Sequence, residues 1–242
     1  MLYKLQTIFL NMIKKPAIEI FQLSKDYLES GQQHIIFKDL TLSVTAGEFI
    51  VLLGRSGSGK STLLNLISGL DQPSVGDILI NDINLCGLTE QQRTLFRRHH
   101  IGFVFQAYNL IPTLTVAENL LLPLELINPV SSNDKNKVVE LLTQLGLANR
   151  LDSYPDRLSG GEQQRIAIAR ALVHNPDIIL ADEPTGNLDI DTGKQVLELL
   201  DNMVRNVGKT LIMATHSEEV IGKADRVFAI NNQSLKLVAD NR

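Results

Sequence analysis

The chain has 242 residues, enough for one large domain or two small ones. Hydrophobic residues make up 44% and charged residues 21%, a globular balance that argues against intrinsic disorder. A net charge of −4 and a pI of about 5.7 argue against a dedicated nucleic-acid binder, which usually carries a basic footprint. Cys86 is the single cysteine, so no internal disulfide forms, as expected in a reducing cytosol.

Residues 1–16 are predicted to be an extension of the main domain, either disordered or folded as a short amphipathic helix. Apolar residues recur at helical spacing between Leu2 and Ile13, and lysines flank them. A membrane-surface helix and a weak signal peptide share this pattern, although no small-residue cleavage site follows. A start at Met12 would instead make the preceding residues a poorly ordered extension. No stretch reaches the ~20 apolar residues that cross a bilayer.

The main domain, residues 17–242, is predicted to be α/β. Residues 17–44 alternate apolar and polar side chains around a turn near residues 29–31, which indicates an antiparallel, edge-like pair of strands. Four later apolar runs are predicted to be buried parallel strands, and each is followed by polar or glycine-rich sequence. They are residues 49–53, 101–105, 178–181 and 211–215. Because open α/β sheets bind ligands beyond the carboxyl ends of their strands, one rim should collect these polar residues.

A helical insert is predicted between about residues 90 and 175, within this single domain. The apolar spacing of residues 138–145 is helical, and Gly146 follows as a helix C-cap would.

A phosphate-binding loop is the strongest motif in the chain. It consists of Gly54, Arg55, Ser56, Gly57, Ser58, Gly59, Lys60 and Ser61, followed by Thr62 and a helix to about Gly69. Glycines let backbone N–H groups wrap phosphates, and the helix N-terminus adds a positive dipole. Lys60 would neutralise the β- and γ-phosphates, while the Ser61 hydroxyl would bind Mg²⁺.

Asp182 and Glu183 follow a predicted strand and complement this loop. Asp182 would hold Mg²⁺ directly or through water, and Glu183 would orient or deprotonate the attacking water. A solvated turn is the ordinary reading of such a pair, but the phosphate loop in the same chain favours the functional one. The predicted activity is therefore hydrolysis of a nucleoside triphosphate, with Mg²⁺ as cofactor.

A second candidate anion site lies at residues 158–165. Ser159, Gly160 and Gly161 open a helix, which is anion-binding chemistry. An ordinary helix cap is an equal alternative, with Ser159 and Glu162 forming a capping box.

Residues 158–163 resemble the signature motif of the ATP-binding cassette (ABC) family, and further motifs follow in that family's order over residues 18–230. The resemblance implies that Gln106 is the Q-loop glutamine and a Mg²⁺ ligand, and that Asp182 and Glu183 are the Walker B pair. It also implies that residues 187–189 are the D-loop and that their last residue, Asp189, binds nucleotide. His216 would be the switch histidine and a catalytic residue. Tyr27 matches the aromatic residue that stacks on adenine, although a lone tyrosine is more often a packing residue.

The resemblance also implies an ABC-type ATPase fold with an antiparallel β subdomain, and a head-to-tail dimer. Each ATP would be held by Lys60 and Ser61 of one copy and by Ser159, Gly160, Gly161 and Glu162 of the other. Closure of the dimer would assemble the catalytic groups Glu183, His216 and Gln106.

Residues 101–106, 110–119 and 181–189 resemble the macrolide-exporter and lipoprotein-releasing branch of the family. This implies export, lipoprotein release or mechanotransmission, driven through a separate permease at the cytoplasmic face of the inner membrane. Residues 108–113 are the expected docking segment for that permease, with a plain surface loop as the alternative.

Three other protein classes fit the sequence less well. A DNA-repair or translation ABC ATPase would show tandem cassettes, zinc sites or basic patches. A small-molecule P-loop kinase would lack the signature motif, and a non-hydrolysing subunit would have lost Glu183 or His216.

Overall fold

The computed structural model describes residues 15–29, 31–217 and 220–242. The predictions for the amphipathic or disordered extension therefore fall almost wholly outside the described residues. In chain order the strands are β1 (Pro16–Glu29), β2 (Gln32–Thr45), β3 (Phe49–Leu53), β4 (Val75–Ile80), β5 (Ile83–Asn84), β6 (Ile101–Val104), β7 (Ile178–Asp182), β8 (Thr210–Thr215), β9 (Arg226–Asn231) and β10 (Ser234–Asp240). The helices are α1 (Lys60–Ser68), α2 (Glu90–His100), α3 (Val116–Glu125), α4 (Ser132–Gln144), α5 (Gly160–Leu172) and α6 (Ile190–Asn206).

The strands form two sheets. A four-stranded antiparallel sheet has the order β2-β1-β4-β5, and a six-stranded sheet has the order β10-β9-β3-β8-β7-β6. All pairs in the larger sheet are parallel except β9 with β10. The predicted antiparallel strands and the four predicted parallel strands are thus present in the structure.

Strands β3, β6, β7 and β8 of the larger sheet are buried on both faces, which explains why they are continuous apolar runs. Side chains of β3 alternate between two cores because successive residues of a strand point to opposite faces. Ile50 and Leu52 pack with α1 and the antiparallel sheet, whereas Phe49 and Val51 pack with α5 and α6.

A third apolar core lies among α3, α4 and α5 and runs from Val116 to Val173. Helix α2 is different, since its Phe96 packs into the core beneath the antiparallel sheet. The predicted start of the helical subdomain, near residue 90, stays a prediction. Capping boxes of Thr115 with Glu118 and of Ser131 with Asp134 start α3 and α4. Among the described helices, none combines the length and the apolar character needed to traverse a membrane.

The parallel strands β3, β6, β7 and β8 end at one edge of the larger sheet. Because parallel strands share their direction, the loops after residues 53, 104, 182 and 215 meet there. This edge carries the candidate site.

Candidate functional site

A cavity of about 560 Å³ opens at the carboxyl ends of the parallel strands. It brings together residues from five separate parts of the chain. Its lining consists of Ile36, Ser56, Gly57, Ser58, Gly59, Lys60, Ser61, Thr62, Gln106, Asp182, Glu183 and His216. The predicted phosphate loop, Walker B pair, Q-loop glutamine and switch histidine therefore share one cavity.

The backbone of the phosphate loop needs glycine at two positions. Gly57 and Gly59 have φ of 78° and 102°, a region that side chains other than glycine rarely adopt. A Cβ on Gly59 would also lie 2.8 Å from Ile36 Cγ2. Gly59 precedes α1 without a side-chain cap, so the first N–H groups of this helix are free to meet an anion.

Lys60 is buried at the start of α1 and points back across the loop. Its Nζ donates to the Gly54 carbonyl at 2.7 Å and to the Arg55 carbonyl at 3.4 Å, and it lies 3.3 Å from Glu183 Oε1. The ammonium group is thus held beneath the cavity, where the β- and γ-phosphates of a nucleotide would need a positive charge.

Asp182 has the features of a ligand for a hard cation. Burial raises its pKa, and the charge of Glu183 adds to this, whereas the Ser61 hydroxyl and Lys60 oppose it. Its buried Oδ1 has no hydrogen-bond partner among the described residues. An unpartnered carboxylate oxygen beside a hydroxyl fits Mg²⁺, which takes one or two protein oxygens and otherwise uses phosphates and water. Among the described residues, no group of three or more His, Cys, Asp or Glu side chains is placed to hold a metal ion.

Glu183 lies between Lys60 and His216. Nδ1 of His216 is 2.8 Å from Glu183 Oε2, and the backbone N–H of His216 donates to the same oxygen at 3.4 Å. Glu183 has a φ of 46°, an uncommon conformation that turns its side chain off the end of β7. The Glu183 side chain is only 15% exposed and that of His216 is 71% exposed, so the histidine is the more accessible member of the pair.

Gln106 connects the cavity to the segment after β7. Its Nε2 donates to Asn187 Oδ1 at 3.3 Å, and Asn187 Nδ2 donates to the Gln106 carbonyl at 2.9 Å. A Cβ on Gly186 would lie 2.6 Å from Gln106 Nε2, so a larger residue there would displace the end of the Gln106 side chain. The sequence motif included Asn187, but only the fold shows that it pairs with Gln106.

Tyr27 lies outside the cavity lining, at its edge. It is 37% exposed, and its hydroxyl donates to Asp71 Oδ2 at 2.6 Å. Burial and the neighbouring Asp71 raise the pKa of Tyr27 to about 12, although the Thr62 hydroxyl acts in the opposite direction. The phenol is therefore protonated at neutral pH and lies near the start of α1.

The second candidate anion site lies outside the cavity of its own chain. Ser159 and Glu162 form the capping box of α5, with Glu162 Oε2 accepting from the Ser159 N–H at 2.8 Å. A Cβ on Gly160 would lie 2.8 Å from the Tyr108 hydroxyl, and one on Gly161 would lie 2.5 Å from Thr192 Cγ2. The motif thus packs beside α6, which Asp189 caps by accepting from the Thr192 N–H at 3.0 Å.

Two residues that the sequence did not single out hold the segment after Gln106. Arg170 donates to the carbonyls of Tyr108 and Asn109, at 2.9 and 2.5 Å. Asn119 is fully buried and bonds both the N–H and the carbonyl of Ile111. A buried asparagine in an apolar helix was the available signal, since buried polar groups need partners. No comparable signal marked Arg170.

Comparisons with known proteins agree with this geometry. The family model described as ABC transporter matches residues 37–186. An uncharacterized ABC transporter ATP-binding protein of Mycobacterium tuberculosis is 52% identical over 229 residues, which cover 94% of this chain and 91% of the relative. The lipoprotein-releasing system ATP-binding protein LolD of Legionella pneumophila is 41% identical over 214 residues, 88% of this chain and 94% of LolD. A dimeric ATP-binding cassette, solved in a post-hydrolysis state with ADP and Pi, is 38% identical with a TM-score of 0.85, and the match covers 93% and 99% of the two chains.

Proposed function

Because the chain belongs to the ABC transporter family as an ATP-binding and ATP-hydrolysing subunit, we propose that it drives a separate permease through a head-to-tail dimer of itself. The predicted family, fold class and ATPase activity are confirmed. One observation carries the catalytic part of the proposal. A single cavity holds Lys60, Asp182, Glu183 and His216, which together supply phosphate binding, metal binding and water activation.

In the proposed reaction the loop from Ser56 to Thr62 wraps the phosphates and Lys60 neutralises their charge. Glu183 accepts a proton from the attacking water, and His216 keeps that carboxylate aimed at the γ-phosphate. Ser61 and Asp182, with Gln106, would hold Mg²⁺, which supplies charge neutralisation of the phosphate oxygens when bound. Tyr27 would stack on the adenine base.

The signature motif supports the dimer, since Ser159, Gly160, Gly161 and Glu162 are not among the residues that line the cavity of their own chain. A helix N-terminus with two glycines, positioned beside the D-loop residue Asp189, would close over the γ-phosphate held by a second copy. The solved cassette with 38% identity is dimeric, which supports self-association of this chain.

Complementation between two inactive variants tests the head-to-tail arrangement. Lys60→Ala disables the phosphate loop of its own chain, whereas Gly161→Arg disables the signature motif. In a head-to-tail heterodimer one site combines both defects and the other is intact, so mixing the variants should restore ATP hydrolysis. If each ATP is bound by one chain alone, both sites stay defective and mixing restores nothing. Each variant alone is the control.

The proposed permease-docking surface is an apolar groove of about 570 Å³ next to the segment 108–113. Phe103, Phe105, Leu122 and Leu126 line it, and Arg97, Arg98 and Arg170 surround them. Such a groove fits an amphipathic, acidic segment of a permease. The chain would then be peripheral to the cytoplasmic face of the inner membrane, and the branch resemblance favours export, lipoprotein release or mechanotransmission.

Two matched leucines test this surface. Leu126 in the groove is 52% exposed, and Leu237 on β10 is 53% exposed. Cosedimentation of the purified chain with membranes from the parent cell should be lost with Leu126→Asp and kept with Leu237→Asp. Equal binding of both variants would exclude the groove as the docking surface.

A further inference from the structure

The hydroxyl and one ring face of Tyr27 are held by two charged residues. Asp71 Oδ2 accepts from the Tyr27 hydroxyl at 2.6 Å, and Lys25 Nζ lies 4.5 Å from the centroid of the Tyr27 ring. Lys25 is only 8% exposed and donates to Asp71 Oδ1 at 2.7 Å. The three side chains form a closed triangle of two hydrogen bonds and one cation–π contact.

This triangle leaves one part of the Tyr27 ring available. Lys25 Nζ lies over one face of the Tyr27 ring and Tyr27 is 37% exposed, so the opposite ring face is the one left for a ligand. A planar base could stack only there. The hydroxyl proton is taken by Asp71, so the Tyr27 hydroxyl cannot donate a hydrogen bond to a ligand.

Asp71 also ties Tyr27 to the helix of the phosphate loop. The Asp71 N–H donates to the carbonyl of Asn65 in α1 at 3.2 Å, and Lys25 Nζ donates to the Gln72 carbonyl at 2.7 Å. Helix α1 begins at Lys60, so one rigid unit carries both the phosphate-binding amides and the anchor of the Tyr27 ring. Although burial opposes it, hydrogen bonds from Lys25 and Tyr27 lower the pKa of Asp71, which remains an ionised acceptor.

We propose that Asp71, supported by Lys25, is a positioning residue for nucleotide binding that orients the free face of the Tyr27 ring toward the base. The proposal rests on the proposed contact of Tyr27 with adenine. Asp71 does not touch the nucleotide itself; it sets the distance and angle between the stacking ring and the phosphate loop. Removing it should therefore weaken recognition of the base and leave recognition of the phosphates unchanged.

Calorimetric affinities of the full chain for ADP and for pyrophosphate, both with Mg²⁺, separate these two effects. Asp71→Ala should weaken ADP about fivefold, the effect of one lost hydrogen bond, and change pyrophosphate affinity less than about twofold. Tyr27→Phe removes only the hydroxyl and should match Asp71→Ala. The double variant should be no weaker than Asp71→Ala alone, because Asp71→Ala already breaks the contact that Tyr27→Phe removes. Tyr27→Ala should weaken ADP about tenfold or more, since base stacking is lost.

Asp82→Ala is the matched control, because Asp82 is an ion-paired aspartate in the turn between β4 and β5, bonded to Lys15 and more exposed than Asp71. It should leave both affinities unchanged. Wild-type ADP affinity in Asp71→Ala, a parallel loss of pyrophosphate affinity, or additive effects in the double variant would each overturn the positioning role. Unchanged ADP affinity in Tyr27→Ala would overturn it as well. A wild-type chain that binds neither ligand would contradict the proposed function instead.

Discussion

Nδ1 of His216 lies 2.8 Å from Oε2 of Glu183, joining the ends of the neighbouring parallel strands β7 and β8. An ionised carboxylate only accepts hydrogen bonds, so the histidine donates through Nδ1. Lys60 Nζ contacts the other oxygen, Oε1, at 3.3 Å. Glu183 is thus held from both sides by the phosphate-binding lysine and the switch histidine, and its carboxylate has little freedom to rotate.

Lys60→Ala should weaken ATP binding tenfold or more and abolish measurable hydrolysis, because a charge-assisted contact to phosphate is lost. Lys135→Ala, an exposed lysine on α4, should behave as wild type. Phosphate release under saturating Mg·ATP measures turnover. Near-normal turnover in Lys60→Ala would contradict the assignment of this cavity as the hydrolytic site.

Glu183→Gln should reduce turnover about a hundredfold or more, since general-base catalysis is removed while the shape of the side chain is kept. ATP should still bind, so the closed dimer should accumulate. Size-exclusion chromatography with light scattering in Mg·ATP should show a dimer for this variant. Glu198→Gln, on the exposed side of α6, is the control and should stay active. An exclusively monomeric Glu183→Gln chain would argue against ATP-driven dimerisation.

Asp182→Asn should make the nucleotide-free chain more stable and inactive. The raised pKa of Asp182 means that the folded chain binds the proton more tightly than the unfolded chain. The stability therefore falls as the pH rises from the ordinary value of 3.8 through the raised value, and the penalty persists at neutral pH.

Removing that charge should raise Tm by about 2 °C at pH 7.5, and the gain should shrink as the pH approaches 4. Thermal unfolding at several pH values measures this, with the exposed Asp152→Asn as control. A lower Tm for Asp182→Asn at pH 7.5 would show that the carboxylate stabilises the fold. It would contradict a cation site whose unpaired charge destabilises the nucleotide-free chain.

Gly161→Ala should reduce ATP hydrolysis for two separable reasons. The new Cβ would lie 2.5 Å from Thr192 Cγ2 within the same chain, and it would also narrow the surface proposed to meet a partner's nucleotide. Thr192→Ser removes that methyl group and should be nearly neutral by itself. The double variant should remain at least about tenfold less active than wild type, while its Tm recovers. Full recovery of hydrolysis would assign the whole effect of Gly161 to packing within one chain.

Much of the fold followed from local patterns in the sequence. Residues 49–53, 178–181 and 211–215 lie within strands because uninterrupted apolar runs suit a sheet that is buried on both faces. Helix α4 extends further towards the N-terminus than its apolar pattern suggested. Its first turns are polar and exposed, and the capping box of Ser131 with Asp134 starts the helix six residues before Val138. The antiparallel pair of β9 and β10 was not predicted, because β10 is mostly exposed and has no long continuous apolar run.

The phosphate loop is the part of the site that the sequence determined by itself. Its glycines, Lys60 and the helix that follows are neighbours in the chain. Their spacing in the sequence is therefore enough to indicate phosphate binding. The tertiary structure decided which distant residues meet it. The sheet order β3-β8-β7-β6 differs from the chain order and brings His216 to Glu183. Likewise, the pairing of β1 with β4 brings Tyr27 to Asp71. Such contacts depend on strand order and register, which arise from packing of the whole domain and not from any local run of residues.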